Sequence, residues 1–153
     1  MEKMLLKILE NDHEMVKDLF LRFNQISDNE EKNRVAKKTF KNLEIHGKVE
    51  EELVYPIIRN FSEKGKEMIE HGIEEHRKIM ELIKQTKGLG IASVDFSPKF
   101  QELAQAVIHH VTEEENTVFP FAEKNLGNKL SVGLGAKMLK MKAGEKIARP
   151  KLE

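Results

Sequence analysis

Six residues have the types and spacing to do chemistry together: His13, His46, Glu50, His76, His110 and Glu114. Residues 46–56 read HGKVEEELVYP, and residues 110–120 read HVTEEENTVFP. When the two are aligned, His46 meets His110, Glu50 meets Glu114, Tyr55 meets Phe119 and Pro56 meets Pro120. The repeat extends upstream. His13 precedes His46 by almost the interval at which His76 precedes His110, and NDHEMVKDLF around His13 resembles EEHRKIMELI around His76. Each half of the chain therefore supplies one lone histidine and one His-x-x-x-Glu. Residues four apart share a helix face, so each histidine stands over its glutamate. Burying four imidazoles and two carboxylates without partners is very costly, and a cation among them removes that cost. Glutamate bridges metals, and imidazole suits iron, copper or zinc. The set is too large for one small ion with an open site. It suits two ions, each with two histidines and both shared glutamates, leaving room for a bridging oxygen and a small exogenous ligand.

The elements that must position these groups are helices. Over residues 3–26 the apolar residues Met4, Leu5, Ile8, Leu9, Met15, Val16, Leu19, Phe20 and Phe23 recur at helical spacing. Ser27-Asp28-Asn29 followed by Glu30-Glu31 reads as a turn and a helix start. The second helix runs over about 30–60, and Pro56 within it should kink or end it nearby. Ser62 caps a third helix over 63–87, stopped by Gly88. The stretch 88–98 reads as the long loop, and Ser97-Pro98 opens a fourth helix that runs to about Leu126. A further helix is expected over 131–143. The fold class is thus all-α: an up-down-up-down four-helix bundle with a short additional C-terminal helix, spanning 1–145 as one domain, with a frayed tail over 146–153. Measured from the bends, the four histidines sit at heights that agree to about one helical turn, so they converge if they point inward.

Composition narrows the alternatives. Lys+Arg and Asp+Glu are equal at 26 each, so no basic excess points to nucleic acid or an anionic membrane. Cysteine is absent, which excludes thiolate zinc sites, iron–sulfur ligation and cysteine nucleophiles. No run approaches the length of a membrane span, the N-terminus lacks a signal-peptide core, and a cytoplasmic location is the expectation. Ferritin-like di-iron bundles need Glu-x-x-His on two helices; only Glu10-x-x-His13 fits. A His-Glu-x-x-His zinc hydrolase motif is absent. Of the other two histidines, His109 is rotated by ~100° from His110, and His71 lies off the expected face. Tyr55 is core by pattern, with a hydroxyl able to donate a hydrogen bond to a bound oxygen species.

The doubled H-x-x-x-E…[YF]-P with lone histidines at matching offsets resembles the hemerythrin HHE cation-binding family, over about residues 5–143. The resemblance implies an oxo- or hydroxo-bridged di-iron centre on His13, His46, Glu50, His76, His110 and Glu114, with manganese or zinc as other occupants. It also implies O2, NO or redox chemistry. Oxygen-carrying hemerythrins have a histidine four residues before the third-helix ligand, where this chain has Gly72, and His-x4-Asp on the fourth helix, where it has His110-x-x-x-Glu114. These departures resemble the four-His, two-Glu subgroup, which includes iron–sulfur repair proteins. The first functional expectation is a protein that binds O2 or NO, or senses iron and redox stress. The alternative is enzyme-like: reduction of NO or peroxide, or donation of iron to damaged iron–sulfur proteins, with a redox partner the sequence does not name. A third reading makes the chain a helical interaction module whose histidines merely pack. Expected partners are a small ligand, neither nucleic acid nor membrane, in a monomer or homodimer.

Overall fold

The computed structural model describes residues 3–152, with side chains for 3–128 and 130–144. The expected tail over 146–153 lies outside the residues described with their side chains. Among the described residues there is no strand, and no helix is long and apolar enough to cross a membrane. The helices are α1 (Met4–Gln25), α2 (Asn29–Val49), α3 (Tyr55–Arg59), α4 (Glu63–Leu89), α5 (Phe96–Glu113), α6 (Phe119–Asn125) and α7 (Asn128–Leu152). A π-helical turn, Glu50–Val54, joins α2 to α3, and a second, Glu114–Val118, joins α5 to α6. Each α–π–α run is one rod, so four rods form the bundle and α7 is the additional helix.

The two π turns follow from the two prolines. Pro56 and Pro120 have no N–H to give the carbonyl four residues back, and their rings crowd it. The chain answers by widening one turn rather than breaking. The Tyr55 N–H donates to the Glu50 carbonyl, and the Phe119 N–H to the Glu114 carbonyl, both five residues back. The expected kink or stop at Pro56 is therefore a bulge that begins at the repeated glutamate. Single π turns of this kind often occur at functional sites.

Local signals set most boundaries. Asp28 accepts the Glu31 N–H at 2.9 Å, and Ser62 accepts the Gly65 N–H at 3.2 Å, each satisfying a free amide of a first turn. The long loop is shorter than expected. Helix α4 passes through Gly88 and ends at Leu89, because Gly90, not Gly88, takes the positive φ of 77° that stops it. Helix α5 begins at Phe96, ahead of Ser97-Pro98. Helix α7 begins at Asn128 rather than 131. Helix α1 has no side-chain cap of its own; Ser131 of α7 supplies one, its hydroxyl accepting the Leu5 N–H at 3.1 Å.

Helix α1 packs on α2, and α4 packs on α5, giving the two hairpins that the repeat implies. The apolar core falls into two clusters. One gathers Phe20, Phe23, Phe40, Phe96 and Phe100 with the aliphatic residues of all four rods. The other holds Leu5, Leu9, Tyr55, Ile58, Ile69 and Phe119, and α7 closes it with Leu134 and Met138. Four buried histidines and two buried glutamates lie between them. Phe100 is fully buried, with its ring 4.2 Å from that of Phe23 and 5.1 Å from that of Phe20. Phe100→Ala is expected to cost about 3–5 kcal/mol, the usual loss for emptying a buried phenylalanine site. Urea unfolding measures it, and a cost under about 1 kcal/mol would mean that this cluster does not hold the hairpins together.

Candidate metal centre

The structure brings all six expected residues into one buried layer. Glu50 is 0% and Glu114 2% exposed, and His13, His46, His76 and His110 are buried as well. Helix α1 carries His13, α2 carries His46, α4 carries His76 and α5 carries His110; the two glutamates open the two π turns. The wider turn starts at the glutamate itself, one helical turn after its histidine, so both side chains point into the same space.

The outer nitrogen of every imidazole is held by a carboxylate. His13 Nδ1 contacts Glu115 at 2.8 Å, His46 Nδ1 contacts Asp12 at 2.9 Å, His76 Nδ1 contacts Glu51 at 2.7 Å and His110 Nδ1 contacts Glu75 at 2.8 Å. A carboxylate at Nδ1 makes that nitrogen the donor and leaves Nε2 as a lone pair aimed inward. Inside, His13 Nε2 faces His46 Nε2 at 3.2 Å, and His76 Nε2 faces His110 Nε2 at 3.0 Å. Two lone pairs at that separation repel unless a positive charge stands between them. The glutamates carry the same message. Glu50 Oε2 and Glu114 Oε1 are buried and make no hydrogen bond; Glu114 Oε1 lies 3.2 Å from His13 Nε2 without the alignment of one. Buried polar atoms are nearly always satisfied, so these two oxygens are suited to accept a cation.

The donor atoms fall into two overlapping sets. Those of His13, His46, Glu50 and Glu114 lie within 4.8 Å of one another, and so do those of Glu50, His76, His110 and Glu114. Both glutamates belong to both sets. A two-fold relation runs through the layer: His13 with Glu115 mirrors His76 with Glu51, and His46 with Asp12 mirrors His110 with Glu75.

Sequence reasoning missed these four outer carboxylates. Glu51 and Glu115 belong to runs of acids that look like solvated helix faces, and Asp12 and Glu75 belong to no His-x-x-x-Glu pair of the repeat. The repeat held the signal: an acid immediately precedes each lone histidine, and another immediately follows each inward glutamate. Helix α7 adds a further partner, since Lys142 Nζ ion-pairs with Asp12 Oδ1 while Asp12 Oδ2 faces His46. Burial pushes the Asp12 carboxyl up, but the His46 and Lys142 contacts outweigh it and leave it below its ordinary value.

One break in the symmetry involves Tyr55. Its ring stacks on His76 at 5.2 Å, as its repeat partner Phe119 stacks on His13 at 5.6 Å. The hydroxyl is the difference. Tyr55 donates to Glu114 Oε2 at 2.5 Å and also lies 3.2 Å from His76 Nε2 and 3.4 Å from Glu50 Oε1. Gly72 makes this possible, because a Cβ there would stand 3.1 Å from the Tyr55 hydroxyl. The position left without a side chain at Gly72 is thus filled by Tyr55. His71 is exposed and pairs with Glu113 at 2.9 Å. Burial and the two glutamates push the Tyr55 hydroxyl well above its ordinary pKa, so it keeps its proton.

A cavity of about 300 Å³ reaches the four histidines from the side of the phenylalanine cluster. Its apolar wall is Val16, Leu43, Ile79, Met80, Val107 and Val111.

A profile of the Hemerythrin HHE cation binding domain matches residues 4–122. The chain belongs to this family. The HHE match ends before α7. A hemerythrin HHE cation binding domain-containing protein from Mycobacterium kansasii, known from its crystal structure, superposes with a TM-score of 0.82 at 21% identity, over 95% of this chain and 90% of that one; this likeness speaks to the fold. Among curated relatives, an uncharacterised hemerythrin-like protein of Schizosaccharomyces pombe is 27% identical over 126 residues, and a DNA nickase of Nostoc is 28% identical over 121. The alignments cover 82% and 79% of this chain but only 62% and 34% of those proteins, so this HHE domain corresponds to a part of each.

In the HHE domain without metal, the neighbouring carboxylates favour charge on three of the buried imidazoles. Burial opposes charge on the imidazoles, but Glu50, Glu51 and Glu114 overcome it and raise His76 to about 9 from 6.5; His46 and His110 rise for like reasons. A group whose folded pKa is raised stabilises the fold fully below its unfolded pKa and loses that contribution as pH rises through the folded one. The metal-free protein is therefore expected to lose stability between about pH 6.5 and about pH 9. Urea midpoints of chelator-treated protein test this, and a midpoint that holds or rises across the interval would contradict it.

Proposed function

We propose that this HHE domain is a di-iron protein that binds a small diatomic ligand, O2 or NO. In this reading His13 and His46 hold one ion, His76 and His110 hold the other, and Glu50 and Glu114 serve both. The observation that carries it is the pairing of inward Nε2 atoms at 3.0–3.2 Å around two glutamates with unsatisfied oxygens. Four nitrogens and two carboxylates suit iron, with manganese and zinc as competitors. Two iron ions bound there supply ligand exchange and one-electron chemistry.

The chain's own groups do the rest. Carboxylates at every Nδ1 fix the tautomer and ring orientation and raise the basicity of the imidazoles. The cavity admits a small molecule as far as the histidines, between a wall of Val, Leu, Ile and Met and a charged lining that includes Glu44, Lys48 and Glu52. Tyr55 holds a proton beside Glu114 and His76.

That proton favours a second reading, in which the same site reduces NO or peroxide, reactions that consume protons. Turnover of either molecule with an added reductant separates the two: binding without turnover supports the first.

Elemental analysis of protein made in iron-replete medium is expected to find two irons per chain, one for each donor set. His46→Ala should lose the ion held by its set while the helical content stays unchanged by circular dichroism. A variant with undiminished iron would show that the buried histidines merely pack.

Tyr55→Phe removes only the hydroxyl that steadies Glu114. The loss of such an outer hydrogen bond is expected to weaken metal binding about 10-fold. Competition with a chromophoric chelator reads this out, and equal affinity in the two proteins would take Tyr55 out of the site.

A further inference from the structure

The buried layer is not the only place where His-x-x-x-Glu recurs. His71 and Glu75 stand four apart on α4, and His109 and Glu113 stand four apart on α5. These pairs share helices with the buried ones but lie on an outward face. Helices α4 and α5 pack side by side, so the two pairs meet across their seam. His71 Nε2 is 2.9 Å from Glu113 and 3.5 Å from Glu75. His109 Nε2 is 3.2 Å from Glu113 and 3.3 Å from Glu75. The Nε2 atoms of His71 and His109 thus each face both carboxylates. The donor atoms of His71, Glu75 and Glu113 fit within the same 4.8 Å limit as each buried set.

We propose that His71, Glu75, His109 and Glu113 form a second, solvent-facing cation site, for a divalent transition-metal ion of the zinc or ferrous class. Two nitrogens and two carboxylate oxygens are the donors such ions accept, and four of them match the coordination number of zinc. Spacing of four on each helix aims both donors of a pair at one point. The histidines are open to solvent, at 62% and 65% side-chain exposure, so an arriving ion meets them first. Glu75 is mostly buried, and its other oxygen holds His110 Nδ1 at 2.8 Å. It is therefore a carboxylate shared between the outer cluster and a histidine of the inner layer.

That sharing gives the outer site a consequence, which rests on reading His110 as a buried ligand. An ion on Glu75 Oε2 draws charge from the carboxylate, weakens its hold on the His110 N–H and makes Nε2 a poorer donor. Outer and inner occupancy then oppose each other, and the opposition is reciprocal.

Equilibrium dialysis against zinc tests the site. The probe is zinc alone, on the full chain loaded with iron. The expected result is one zinc bound beyond the iron, absent from the double variant His71→Ala/His109→Ala, which keeps its iron. His46→Ala, which impairs only the buried layer, should retain the outer zinc, so a failure of the buried reading is distinguishable from a failure of this one. No zinc bound beyond the buried layer, or undiminished zinc in the double variant, overturns the proposal. A single His109→Ala variant with at least 10-fold weaker zinc binding would support it, as expected for the loss of one of four donors.

Discussion

Four imidazole nitrogens aimed at one another across a dry interior are unstable without positive charge, and the rest of the bundle is arranged around that condition. Each Nδ1 is committed outward to a carboxylate, so no histidine can relieve the crowding by switching tautomer or turning its ring. The same lock that makes the empty layer repulsive makes it complementary to cations. Glu50 accordingly stays well below the ordinary carboxylate range in full burial: desolvation pushes it up, but His46 and His76 outweigh it. Protons and metal compete for the same nitrogens.

Packing keeps the layer from relaxing. A phenylalanine cluster lies on one side, and the cluster closed by α7 lies on the other. Helix α7 also reaches the surroundings of the buried layer. Ser131 satisfies an amide of the first turn of α1, and Lys142 reaches Asp12, which holds His46. A helix beyond the family match is thereby connected to the charge of the buried layer through two contacts.

Most of the fold was legible in the sequence because its helices are amphipathic and its caps, Asp28 and Ser62, are ordinary ones. The convergence of the six side chains was legible because the chain repeats. One His-x-x-x-Glu would have said little, but two with matched upstream histidines fixed a common height. Three things escaped. The π turns did, because propensity reads proline as a break and cannot see that one widened turn satisfies the same backbone. The outer carboxylates escaped because adjacent glutamates on a helix look like a solvated face, and only the facing rod decides which one turns inward. Gly90 escaped because Gly88 is an equally good stop by composition, and only the backbone shows which glycine takes positive φ.

Tyr55 shows where symmetry gives way to chemistry. The repeat places an aromatic ring against a histidine on both sides, and packing alone would be served by phenylalanine at each. Phe119 meets that need against His13. At Tyr55 the added oxygen requires a hydrogen-bond partner in a buried place, and it finds Glu114, Glu50 and His76 together because Gly72 has withdrawn its side chain. The counterpart of Gly72 in the first half is Leu9, which is fully buried and leaves no such opening. A small residue and a hydroxyl around His76, against a large residue and a bare ring around His13, make two donor sets of the same residue types unequal in their surroundings. Any difference in behaviour between two ions held there would begin with that pair of substitutions rather than with the ligands themselves.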